Sequence, residues 1–277
     1  MDGIVLINKE EGLTSRDVVN KIVKKLNLKK VGHAGTLDPI AKGLLVIGIG
    51  KGTKILDLLT MDTKEYIAVS KIGIETDTFD ISGNIIKEVK DFSLKKEDLI
   101  KVLNTFIGSY YQEVPKYSAV KINGKKLYDY ARNNINIDLP KRLITIYKIE
   151  LLEFNKNEFT FKVLVSKGTY IRSLIHDIGL KLNLPMTMKE LIRTKSGKFN
   201  LNQSYNISDD FKIIPIFKAL DYPVVKIDDE VLLKKIKNGN KIKLNCSYDI
   251  ITLIDNLDNT LAIYKKEKLE YQAIKVF

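Results

Sequence analysis

The sequence predicts an α+β fold, and three observations carry that expectation. Residues 144–165 alternate as a long hairpin, further strands are scattered among amphipathic helical segments, and from Tyr222 onward the pattern restarts as short strands.

Taken in order, Gly3 to Ile7 forms a short buried strand. Thr14 or Ser15 caps a helix with Val18, Ile22 and Leu26 on one face and Lys21, Lys24 and Lys25 on the other. A glycine-punctuated loop from Gly32 to Gly43 leads to an apolar strand, Leu44 to Ile49, and a helix near Lys54 to Leu59. Tyr66 to Lys71 begins another strand, followed by a polar turn through Thr76, Asp77, Thr78 and Asp80. Ser93 to Phe106 has helical periodicity. The hairpin then pairs Ile144 to Glu153 with Phe159 to Val165 across a turn at Asn155-Lys156-Asn157. Its second strand delivers Ser166-Lys167-Gly168-Thr169-Tyr170-Ile171-Arg172 to a helix with Leu174, Ile175, Ile178 and Leu182 inward. Turns at Asn238-Gly239-Asn240 and Asp255 to Asn259 punctuate the last part. The expected division is therefore a large domain, 1–222, and a small β-rich one, 223–277.

Composition narrows the chemistry. No run of eighteen uncharged apolar residues occurs, and Met1-Asp2-Gly3-Ile4-Val5 lacks a basic region ahead of an apolar stretch, so a cytoplasmic protein without a membrane role is expected. The single cysteine, Cys246, excludes an internal disulfide and fits a reducing compartment. One cysteine and two histidines, His33 and His176, exclude a Cys/His zinc site. Carboxylates, tyrosines, lysines and arginines remain. The formal charge of +12 suits a polyanion, with +10 in the first 223 residues. Lysine bias weakens that signal, since 41 of the 46 basic residues are Lys; it makes the five arginines more telling.

Three segments could carry chemistry. Gly32-His33-Ala34-Gly35-Thr36-Leu37-Asp38-Pro39 places a carboxylate on a stiff loop, its two glycines permitting positive φ and Pro39 favouring an extended Asp38. From these residues alone a plain Asp-Pro turn is an equal reading. Lys64-Glu65-Tyr66 offers a strand tyrosine that could stack on an extruded base or accept a proton, although most strand tyrosines are half-buried core. Ser166 to Arg172 brings Tyr170 and Arg172 to a helix start, where a guanidinium could pair with a buried carboxylate. Gly48-Ile49-Gly50-Lys51-Gly52-Thr53 matches neither G-x-x-x-x-G-K-[ST] nor G-x-G-x-x-G and is read as a strand-to-helix connection.

Together these segments resemble the TruB family of tRNA pseudouridine synthases. Gly3 to Lys9 with Gly12 to Asp17 is similar to its N-terminal signature, and Gly32 to Leu45 to its catalytic motif. Lys64-Glu65-Tyr66, Thr76-Asp77-Thr78, Tyr117-Ser118-Ala119-Val120-Lys121, Ser166 to Arg172 and Leu191-Ile192-Arg193-Thr194 follow in the family's order. The resemblance implies a central mixed, mainly antiparallel sheet with flanking helices. It implies Asp38 as nucleophile paired with Arg172, Tyr66 as a catalytic and substrate-binding residue, and His33, Tyr170 and Leu191 around the flipped uridine. It also implies an RNA-gripping insertion around 108–143, with Lys9, Lys121, Lys125, Arg132, Arg142, Lys167 and Arg193 as RNA contacts. Val114 stands where the family usually has proline, and Asn133-Asn134 where it has glycine.

The implied reaction is conversion of a uridine in the TΨC arm of tRNA, position 55, with no cofactor and no obligate protein partner; a monomer is the default expectation. Breaking the bond from C1′ to N1, turning the base and joining C5 to C1′ involves no net redox change, and a carboxylate nucleophile serves either at C1′ or at C6. A carboxylate in a dry pocket needs a cation beside it to keep its charge, which is the duty expected of Arg172. The alternatives are an RNA-binding chaperone using the same groove without catalysis, and a dyskerin-type enzyme working within a guide-RNA particle.

Overall fold

The computed structural model describes every residue except 134 and 136, so the expectation resting on Asn134 lies outside the described residues. Gly3–Lys9 (β1) leads to Ser15–Leu26 (α1), then Val31–His33 (β2) and Lys42–Ile49 (β3). β1 and β3 pair antiparallel and are apolar almost throughout because both faces are covered. Val5, Ile7, Leu45 and Ile47 meet Val18, Val19 and Ile22 of α1, while Ile4, Leu6, Leu44 and Val46 meet Ile55 and Leu59. Thr14 caps α1 reciprocally: its hydroxyl accepts from the Asp17 N–H at 3.1 Å, and the Asp17 carboxylate accepts from the Thr14 N–H at 2.9 Å. Such a cap contributes about 1 kcal/mol.

The helix expected near 54–59 is a 3₁₀ turn, Gly50–Ile55, running into Leu56–Thr60 (α2). Lys64–Ile72 (β4) follows, then a small hairpin of Ile74–Thr76 (β5) and Ile85–Glu88 (β6). Lys96–Asn104 (α3) is shorter than the 93–106 periodicity suggested, because its cap residue Lys95 is extended. Gly108–Glu113 (β7) precedes a hairpin of Lys121–Ile122 (β8) and Lys125–Lys126 (β9), turned by Asn123-Gly124 with positive φ at both, and Leu127–Arg132 (α4). Lys141–Phe154 (β10) and Glu158–Val165 (β11) form the long hairpin, followed by Ile171–Leu182 (α5), Met186–Ser196 (β12), Phe199–Asn200 (β13) and Ile216–Ala219 (α6).

The main sheet runs β1-β3-β12-β4-β11-β10-β7, antiparallel except for the parallel contact of β12 with β3. This is the mixed, mainly antiparallel α+β arrangement that was expected. Its parallel junction is short, Ile192 beside Lys42 and Arg193 beside Gly43. Gly43 is required there: a Cβ would lie 2.5 Å from the Arg193 carbonyl oxygen. β7 and the start of β10 pair from Gly108↔Ile146 to Glu113↔Lys141, so they are strands of this sheet and the excursion itself spans residues 114–140.

The C-terminal part is a second sheet. Val224–Lys226 (β14), Glu230–Lys237 (α7), Ile250–Ile254 (β15), Thr260–Glu267 (β16) and Glu270–Val276 (β17) give the order β14-β15-β16-β17, with α7 capped by the Asp229 carboxylate. The short-strand reading of this stretch missed α7. No helix among the described residues is long and apolar enough to cross a membrane.

Candidate active site

Where β2 ends and β3 begins, residues 34–41 carry Asp38 out of the sheet, and three buried side chains from elsewhere pin them. Ser15, at the start of α1, accepts from the Leu37 N–H at 2.8 Å and donates to its carbonyl at 3.2 Å. Lys9 donates to the carbonyls of Leu13 at 2.7 Å, Glu10 at 2.9 Å and Pro39 at 3.4 Å. Arg193 donates through Nε to the Leu44 carbonyl at 2.7 Å, with its Nη atoms 3.4 and 3.5 Å from the carbonyls of Thr36 and Gly35. Gly35 supplies the positive φ, +90°, and the Ala41 N–H closes a turn on the Asp38 carbonyl. Gly32 has no positive φ; it sits within β2 opposite Gly48, where a Cβ would press on the Leu56 side chain at 2.9 Å.

Lys9 and Arg193, both expected as RNA contacts, are 0% and 1% exposed, and these bonds direct donors of each onto backbone carbonyls. Burial pulls the Lys9 ammonium down to about 8, with Asp38 opposing that shift.

Asp38 faces a cavity of about 230 Å³, small for a ligand site and lined by Tyr66, Tyr170, Arg172, Leu191, Lys64 and Lys167 among others. Arg172 lies in the first turn of α5, buried, and its Nη2 is 2.9 Å from Asp38 Oδ2. The Asp38 side chain is 41% exposed, so the carboxylate stands at the mouth of the cavity with one oxygen held and the other open to an incoming group. Arg172 is itself fixed from three directions: it donates to the carbonyls of Thr78 and Tyr117, each at 3.0 Å, and its Nη1 is 3.5 Å from Asp80 Oδ2. The other Asp80 oxygen accepts from Thr78 and Ser82. Sequence reasoning named the Thr76–Asp80 turn but gave Asp80 no part, although an acid in a turn so rich in hydroxyls was the available signal.

Tyr66 is 8% exposed on β4, with Arg193 as its cross-strand neighbour, while Leu191 pairs with Ala68 on the same two strands. Tyr170 stands immediately before α5, and burial pushes its phenol pKa up. Its backbone is clamped by buried Gln112 of β7, which accepts from the Tyr170 N–H at 2.8 Å and donates to the Tyr170 carbonyl at 3.1 Å. Nothing local in Ser109-Tyr110-Tyr111-Gln112 marks that role.

His33 is not among the residues lining the cavity: β2 extends the antiparallel pairing of β3 and fixes His33 opposite Ile47. Its Nδ1 finds no hydrogen-bond partner among the described residues, and burial lowers its pKa, with Arg16 and Arg193 adding to the effect. Lys167 reaches the cavity rim, and Arg142 approaches Gly168 from β10. Lys121, Lys125 and Arg132 are exposed on the 114–140 excursion, Arg132 packed over the Tyr128 ring at 5.2 Å. Among the described residues no group of three or more His, Cys, Asp or Glu could hold a metal ion.

Comparison with known proteins gives concordant matches. The family model described as TruB family pseudouridylate synthase, N-terminal domain, matches residues 23–171. A protein of Mesoplasma florum named tRNA pseudouridine synthase B is 40% identical over 271 residues, covering 96% of this chain and 94% of that one. A protein of Clostridium tetani with the same name is 42% identical over 289 residues, covering 100% and 99%. Among solved structures, a chain from an H/ACA ribonucleoprotein bound to a substrate RNA containing 2′-deoxyuridine superposes with a TM-score of 0.73 at 25% identity, covering 99% of this chain and 84% of that one.

Proposed function

The chain belongs to the TruB family of pseudouridylate synthases, tRNA-modifying isomerases, and from that premise we propose that it converts the uridine at position 55 in the TΨC arm, with Asp38 as nucleophile. The observation that carries this reading is the 2.9 Å pair of Arg172 with an Asp38 whose carboxylate remains open to the cavity mouth. The target uridine leaves its stack, which costs a few kcal/mol, and enters beside Tyr66, Tyr170 and Leu191. Asp38 attacks C1′ or C6, the bond from C1′ to N1 breaks, the uracil turns, and C5 joins C1′ while the bond to Asp38 breaks and N1 takes up a proton from water. The C5 proton then leaves; a phenol is a weak base at neutral pH, so Tyr66 serves chiefly as the stacking face and water takes the proton.

No electron or group is exchanged with a third partner, so the reaction needs no cofactor. Arg172 keeps countercharge on Asp38 through the steps. Lys167 and Arg142 at the rim, and Lys121, Lys125 and Arg132 on the excursion, meet backbone phosphates. The C-terminal unit, 223–277, is a second RNA-binding domain resembling the PUA type, and the large domain, 1–222, carries the chemistry with its excursion as the RNA grip. The enzyme acts as a monomer in the cytoplasm, a reducing compartment that suits the free Cys246.

The test is pseudouridine mapping in tRNA transcripts treated with the pure chain in the presence of a chelator. One pseudouridine at position 55, formed at the same rate with and without chelator, is expected. Binding without product would favour the chaperone reading. Product only on addition of a guide RNA or protein partners would favour the dyskerin-type reading.

A further inference from the structure

Two buried cations beside the cavity lack a carboxylate partner. Lys64, at the start of β4, is 6% exposed and donates to the carbonyls of Asp62 at 2.6 Å and Thr60 at 2.7 Å. Arg193, from β12, is 1% exposed and contacts three carbonyls. Among the described residues neither has a carboxylate oxygen within 4.0 Å, whereas Arg172 on the facing wall has two. An ammonium carries three protons and a guanidinium five, so these contacts leave N–H groups on both residues without an acceptor. Both line the cavity that Asp38 faces, with Lys167 at the rim.

Placing two like charges in a dry wall costs free energy unless an anion joins them. That cost is visible in Lys64, whose ammonium is pulled down to about 8 by burial first and by Arg193 second. Asp38 does not supply the anion, since it is paired with Arg172. The apolar part of the wall, Tyr66 and Leu191, suits a base, which leaves the cationic part for what is covalently attached to that base through the sugar.

We propose that Lys64 and Arg193 form a receptor for one phosphodiester adjoining the everted nucleotide, so that backbone and base are held in the same cavity. The assignment rests on the reading that this cavity receives a flipped uridine. It separates these two residues from the rim lysines: a phosphate held here is desolvated and position-specific, whereas rim contacts are solvated and diffuse.

The experiment pairs enzyme variants with modified RNA. TΨC stem-loops are made with a single neutral methylphosphonate at each phosphate flanking the target uridine, and kcat/KM is measured for wild type, Lys64→Met and Lys64→Arg. At one of the flanking positions the neutral linkage should lower wild-type kcat/KM roughly ten- to a hundredfold. At that position it should cost Lys64→Met less than about twofold, because the partner is already gone. Lys64→Arg should regain most of the wild-type sensitivity.

The groups facing Lys64 are Asp62 of its own turn, Arg193 from β12 and Lys167 from the turn before α5, with Asp38, Tyr66, Tyr170 and Arg172 across the cavity. The wild-type preference for the native over the neutral linkage should therefore fade as pH rises through about 8. This arm needs no variant and stands if Lys64→Met fails to fold. Losses that multiply at every flanking position, or a preference constant from pH 7 to 9, would overturn the receptor while turnover persists. If no RNA yields pseudouridine, it is the parent reading that has failed.

Discussion

Two concavities share a wall where Arg172 donates to the Tyr117 carbonyl, and they are opposites. The cavity at Asp38 is about 230 Å³ and sets four cations, Lys64, Lys167, Arg172 and Arg193, against one carboxylate. The groove beneath the 114–140 excursion is about 990 Å³ and sets four carboxylates, Glu75, Asp77, Glu113 and Asp138, against one lysine, Lys116. Volume alone would choose the groove. A polyanionic substrate chooses the cavity, because phosphates meet repulsion in the groove and unsatisfied donors in the cavity. In a lysine-rich chain with a net charge of +12, the local arrangement of charge is more informative than its sum.

The contrast can be broken most sharply at its two carboxylate sets. Asp38→Asn should abolish turnover, by on the order of 10⁴-fold or more, while leaving tRNA affinity within roughly tenfold, as read by single-turnover assay and filter binding. The groove double variant Glu113→Gln with Asp138→Asn should keep turnover within about twofold. Residual turnover comparable to wild type in the first, or collapse in the second, would reverse the assignment of the two concavities.

Next in size is Arg172→Leu at the shared wall. It removes the partner of Asp38 and leaves Asp80, 7% exposed, without its cation, so urea unfolding should report a loss of about 3–5 kcal/mol. A change under 1 kcal/mol would mean that Asp80 is compensated by Thr78 and Ser82 alone.

The smallest effect is in pH dependence. The Lys9 ammonium lies at about 8 in the folded chain and near 10.4 when unfolded. Between those values the unfolded state binds more protons, so this residue's penalty is fully present below about 8 and is relieved as pH rises toward 10. Thermal melts should therefore give Lys9→Met a smaller relative gain from pH 7.5 to 9.5 than wild type. Parallel pH curves would show that burial does not govern this ammonium.

What the sequence made legible was whatever is written locally. The Thr14 cap, the 144–165 hairpin and the rigid Asp38 loop each depend on residues a few positions apart. The Asp38–Arg172 pair was legible only because each half sits in a recognisable motif. The settings that were not legible depend on distant partners. Lys9 and Arg193 look like surface cations until the fold places carbonyls 30 and 149 residues away around them. β12 was not read as a strand because Lys189, Glu190, Arg193 and Lys195 interrupt its apolar pattern and two register shifts break its alternation. Gln112 left no signal, since its two bonds to Tyr170 span 58 residues.

The short parallel junction between β3 and β12 has a consequence for synthesis. The first sixty residues can pair β1 with β3 and cover them with α1 as soon as they emerge, but the wall bearing Leu191 and Arg193 is made more than a hundred residues later. Until β12 slides between β3 and β4, the Asp38 loop lacks its guanidinium clamp and both strands present open edges. A ribosome paused before residue 196 therefore holds a half-sheet prone to aberrant pairing, and chaperone demand should peak there and fall once that strand is inserted.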